Sequence, residues 1–115
     1  MSDGSEPTAD DIAELVAFLP LLYGPEPVDR DAPVVAGFFK AAFQSCWIDR
    51  GYNPAVEHGH LKDPAYIGQA SLSEMKSLLT YCVRAERFSE GAHGAMVAQG
   101  YIRQLLERLE VLGRA

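Results

Sequence analysis

Apolar residues recur at helical spacing in four separate stretches of this chain, and no strand-like alternation appears between them. Ile12, Leu15, Val16, Leu19 and Leu22 form the first stripe, and Val35, Phe38, Phe39, Ala42, Phe43 and Cys46 the second. Leu72, Met75, Leu78, Leu79, Cys82 and Val83 form the third, and Ile102, Leu105, Leu106, Leu109 and Leu112 the last. Each stripe covers one side of a helix, so each helix must bury that side against the others. The fold class this predicts is all-α: a single irregular or orthogonal bundle of about five to six short helices.

Punctuation along the chain supports the same division. Residues 1–7 are polar and end in Pro7, which predicts a flexible tail ahead of one helical domain over 8–115. Thr8 is placed to cap the first helix, with Asp10 and Asp11 in its first turn. Gly24-Pro25 should stop it. Asp31 and Pro33 suit the start of the second helix, the most hydrophobic one, which is expected at the centre with Trp47 widening its stripe. Ser71 and Glu74 form a capping box. Residues 52–69 are the least legible, with a turn at Asn53-Pro54 and a short helix after Asp63-Pro64. The expected core cluster is Phe39, Phe43, Leu79, Val83 and Leu105.

A length of 115 residues leaves room for one domain, and 48% hydrophobic with 23% charged residues is ordinary for a soluble globule. The net charge of -6 is unevenly placed: residues 1–29 hold seven acids and no Lys or Arg. The bases are interleaved with acids, so a nucleic-acid footprint is not expected. No apolar run reaches the roughly 20 residues that span a bilayer, and no secretory leader opens the chain. Cys46 and Cys82 lie on apolar stripes without a CxxC spacing, as buried free thiols do. A cytoplasmic protein without cofactor or membrane association is the expectation.

Three places could carry chemistry. Glu57-His58-Gly59-His60 offers two imidazoles and a carboxylate, but it reads as a polar surface loop without a third ligand, so no metal site is expected. Arg103, Glu107 and Arg108 read as solvated pairs on the last helix. The third place is Arg84 to His93. Arg84 and Arg87 share a helix face. The next helix starts beside them, and its free amides could help to hold an anion. His93 and Glu90 could handle protons there. The same residues also fit a structural lock in which Glu90 pairs with an arginine between two helices.

The stretch Leu78-Leu79-Thr80-Tyr81-Cys82-Val83-Arg84-Ala85-Glu86-Arg87-Phe88-Ser89-Glu90-Gly91, with Gly100, Arg108 and Leu109 after it, resembles domain of unknown function 6508, a family of small bacterial proteins. The resemblance covers the last 45 residues or so and implies no reaction. The residues support first a binding or interaction module without catalysis, self-associating or engaging a protein partner. The alternative is a small enzyme or anion-binding protein using Arg84 and Arg87 with His93 and Glu90.

Overall fold

Local signals decide where each helix begins. The computed structural model describes residues 6–26, 28–29, 32–87 and 89–114, and every regular element among them is helical. Helix α1 (Ala9–Val16) starts at Thr8, whose hydroxyl and backbone amide exchange hydrogen bonds with Asp11 in a capping box. α2 (Phe18–Leu22) follows after the single residue Ala17. The break falls at Ala17 because Pro20 has no N–H for the Val16 carbonyl and its ring crowds that group. α3 (Pro33–Ala42) has proline in its first turn. A 3-10 turn (Ser45–Trp47) leads to α4 (Pro54–Leu61) and α5 (Pro64–Ile67), started by the Asn53 and Asp63 side chains. α6 (Leu72–Ala85) opens on the Ser71–Glu74 capping box. α7 (Ala92–Ala98) and α8 (Tyr101–Arg114) follow it.

The all-α expectation holds, with more helical segments than expected. The surplus lies in the break at Ala17 and in 52–69, where two short helices replace the expected turn and single helix. The cap expected of Asp31 lies outside the described residues, as do residues 1–5 of the expected tail; Pro7 is buried.

The helices share one core, centred on α6 and α8 rather than on α3. Met75, Leu78, Leu79 and Cys82 of α6 and Ile102, Leu105, Leu106 and Leu109 of α8 have no exposed surface. α8 packs on α1, α2, α5, α6 and α7, and α6 reaches α3, α4, α7 and the 3-10 turn. Phe38 and Phe39 of α3 enter this core edge to face. Two long-range hydrogen bonds tie connecting segments to it. The Tyr23 hydroxyl donates to the Val97 carbonyl (2.8 Å), and Arg108 Nε donates to the Ala70 carbonyl (2.8 Å).

Phe43 and Trp47 depart from the expected stripe together. α3 ends at Ala42, and Phe43 lies beyond the helix with 55% of its surface exposed. The 3-10 turn then rolls Trp47 inward until it is fully buried. Thr80 holds that turn from α6. Its hydroxyl accepts the Asp49 N–H (2.9 Å) and shares its proton between the carbonyls of Lys76 (2.8 Å) and Trp47 (3.2 Å). Val83, expected in the core, is only partly buried.

Phe39→Ala is expected to cost about 3–5 kcal/mol in urea unfolding, from lost transfer energy and a cavity. Phe43→Ala should cost under about 1 kcal/mol. Thr80→Val strands the part-buried Asp49 amide and should cost about 1 kcal/mol in the same measurement.

Candidate functional site

The turn between α6 and α7 is organised by one carboxylate. Glu86 follows the last residue of α6, and Gly91 opens α7 with a φ of +85°, a conformation that glycine adopts without steric cost. The chain therefore curls back over Glu86. Its two carboxylate oxygens accept the N–H groups of Gly91 (2.7 Å) and His93 (2.9 Å). Those amides hold the Glu86 carboxyl below the usual glutamate range, and nearby His93 adds to the effect.

His93 is fixed on three sides. Its ring stacks on Phe39 with centroids 3.8 Å apart and planes 4° apart. Nε2 lies 2.9 Å from the Val83 carbonyl, so that nitrogen carries a proton. Nδ1 faces Glu86 at 3.8 Å.

The expected pairing of Glu90 with an arginine is therefore not what the geometry displays. Glu90 is exposed, and among the described residues it has no ion-pair partner. Glu86, four residues earlier, occupies the α7 amides and approaches His93 instead. The left-handed turn at Gly91 is the reason, because it folds the α7 amides back towards the end of α6. Phe88 lies outside the described residues.

Arg84 and Arg87 instead join cations from elsewhere in the chain. Arg84 is partly buried, its guanidinium 5.9 Å from the centre of the Tyr52 ring. Its Nε is buried without a hydrogen-bond partner among the described residues. A hollow of about 700 Å³ beside it is lined by Phe43, Arg50, Tyr52, Lys76 and Arg84, with Ser45 and Ile48. A second hollow of about 260 Å³ shares Phe43 and Arg84 and adds Lys40, Arg87 and His93. Five of the chain's ten bases thus line two hollows that meet at Phe43. Among the described residues, none of the five has a carboxylate within ion-pairing distance. Asp49, next in sequence to Arg50, is occupied by the Ser77 hydroxyl and the Gly51 N–H.

Arg84 and Arg87 are the part of this face that the sequence marks; Lys40, Phe43, Arg50, Tyr52 and Lys76 join them only in the fold. Lys76 and Arg84 are eight residues apart on one helix, a spacing that returns to the same side. Nothing local links them to Lys40 or Arg50.

The other two places are structural. Residues 57–60, expected as a loop, belong to α4. His58 and His60 are two positions apart on a helix and so point to different sides. His58 Nδ1 meets the Tyr81 hydroxyl at 2.7 Å. His60 stacks on Tyr66 and faces the buried Glu57 at 3.4 Å. Among the described residues no group of three or more His, Cys, Asp or Glu could hold a metal ion. Arg103 and Glu107 form an exposed pair at 3.2 Å, while Arg108 turns away to Ala70. Both thiols are free, and burial pushes that of Cys82 up to about 12. No helix among the described residues is long and apolar enough to cross a membrane.

The model of a family of unknown function (DUF6508) matches residues 25–115. Neither the curated proteins nor the solved structures contain a match to the chain.

Glu86→Ala is expected to lower stability by about 0.5–1 kcal/mol, the lower part of the range for lost caps because the carboxylate is partly exposed. Glu90→Gln should change it by less than about 0.5 kcal/mol. The Glu86 contribution is complete above the ordinary glutamate value of about 4.3 and is lost as pH falls through the lowered folded value. Thermal melts across that acid range should therefore show the wild type converging on Glu86→Ala.

Proposed function

The chain belongs to the DUF6508 family, and from that premise we propose that it is a binding module without catalysis that takes a small phosphate- or carboxylate-bearing ligand on the Arg84 face. One observation carries this reading: Lys40, Arg50, Lys76, Arg84 and Arg87 surround Phe43 without an ion-pair partner among the described residues, in a chain of net charge -6. Scattered surface cations are expected to find acids in so acidic a chain. Like charges gathered without counter-charge repel one another and attract an anion. Arginine at the centre of the group supplies a planar fork matched to phosphate or carboxylate. The buried, unpartnered Arg84 Nε has a hydrogen-bond donor left to satisfy.

Proton handling by His93 with Glu90 receives less support, since the imidazole is engaged by Val83, Phe39 and Glu86. Self-association also receives less, since the exposed apolar residues Leu21, Phe43, Val56 and Val111 sit on or beside four different helices. Two free thiols suit a reducing compartment such as the cytoplasm.

Inorganic phosphate or pyrophosphate, added at constant ionic strength, should raise the melting temperature of the wild-type chain by preferential binding to the native state. At a hundredfold excess over Kd the gain is about 2.7 kcal/mol, or about 10–20 °C for a domain of this size. The double variant Lys76→Gln/Arg84→Gln should lose most of that rise. An equal rise in the variant, or none in the wild type, would overturn the reading.

A further inference from the structure

We propose that the ligand of this face is a nucleoside mono- or diphosphate, with its base against Phe43 and its phosphate among Arg50, Lys76 and Arg84. This rests on the anion-binding reading above and adds the other half of the ligand. Phe43 is the main reason. It stands 55% exposed and lines both hollows, whose walls together hold five cations. An aromatic ring left in water among charges gains little from folding. A planar ring laid against it would restore the lost burial and add a stacking contact. Tyr52, the other ring of the larger hollow, already lies beside the Arg84 guanidinium and steadies it. Phe43 has no such partner: among the described residues its ring makes no aromatic pair.

Size agrees with this division. The hollow of about 700 Å³ lies in the range that takes whole small molecules, not a lone oxyanion. Its wall has an apolar and aromatic part in Phe43, Ile48 and Tyr52, and a cationic part in Arg50, Lys76 and Arg84. A ring joined to a phosphate presents the same two parts.

A discrete nucleotide fits better than a polymer, because acid closes the α1 side of the face. The Gln44 side chain donates to Glu14 of α1 at 3.0 Å, and the Cys46 thiol lies beside Asp11. A strand continuing past Phe43 in that direction would bring its next phosphates onto these carboxylates. On that side the cations therefore end within the length of one nucleotide.

Isothermal titration of the full chain at fixed ionic strength separates the possibilities. The probes are inorganic phosphate, ribose 5-phosphate, adenosine, adenosine monophosphate, adenosine diphosphate and single-stranded oligonucleotides of increasing length. The two nucleotides should bind about tenfold or more tightly than ribose 5-phosphate, the scale of one base–aromatic stack. Phe43→Ala should remove that advantage while leaving phosphate affinity unchanged. Because Phe43 is exposed the variant should fold, which its melting curve checks. Lys76→Gln/Arg84→Gln should weaken every phosphate-bearing probe. Ribose 5-phosphate binding as tightly as the nucleotides, or an unaffected Phe43→Ala, overturns the nucleotide assignment and leaves the anion reading standing. Affinity that grows with oligonucleotide length also overturns it, in favour of a polymer. No binding by any phosphate overturns both.

Discussion

The Thr80 hydroxyl is the contact on which the cationic face depends. A threonine within a helix commonly bonds back to the carbonyl four residues earlier, as Thr80 does to Lys76. Here the same oxygen also accepts the Asp49 amide and lies within reach of the Trp47 carbonyl. The segment after α3 is thereby fastened to α6, and Arg50 and Tyr52 arrive beside Lys76 and Arg84. Trp47 supplies the energy for this docking. Burying an indole of about 200 Å² is worth about 5 kcal/mol. The Nε1 donor it leaves without a partner among the described residues costs about 1–3 kcal/mol. The hydrophobic gain exceeds that cost, and the hydroxyl decides the register in which it is realised.

A second constraint is the separation of charge. The acids concentrate at the front of the chain, and α1 carries Asp11 and Glu14 to one edge of the cationic face. Glu86, the acid nearest to Arg84 and Arg87 in sequence, is taken up by the amides of Gly91 and His93. Asp49 is taken up by Ser77 and Gly51. Backbone and hydroxyl donors therefore occupy the two carboxylates adjacent in sequence to Arg87 and Arg50, while Glu90 stays exposed. The turns at Gly91 and Gly51 thus contribute to leaving Arg50, Arg84 and Arg87 unpaired among the described residues.

Much of the architecture was legible because its signals are local. Thr8 with Asp11 and Ser71 with Glu74 are recognisable as capping boxes from spacing alone, and both form. The stripes of α6 and α8 face the core as their periodicity requires. α4 was not legible, since its eight residues bury only Glu57 and Leu61 and so present almost no stripe. Phe43 was misplaced because it continues the periodicity of α3, while the helix stops one residue before it. Glu90 drew attention as the acid at the start of the next helix. The positive φ of Gly91 gave that place to Glu86, and backbone dihedrals are not written in residue spacing.

Helix positions, most caps and the inward faces thus followed from the order of residues, because each depends on interactions within one or two turns. The family resemblance added a focus on Arg84 and Arg87 but no chemistry. Bringing Lys40, Arg50 and Lys76 to Arg84, and turning Phe43 outward among them, required the packed fold. These residues come from three parts of the chain: the end of α3, the segment held by Thr80, and α6. Their meeting depends on how Trp47 is buried, and periodicity along one helix carries no information about which surface of another helix it will face.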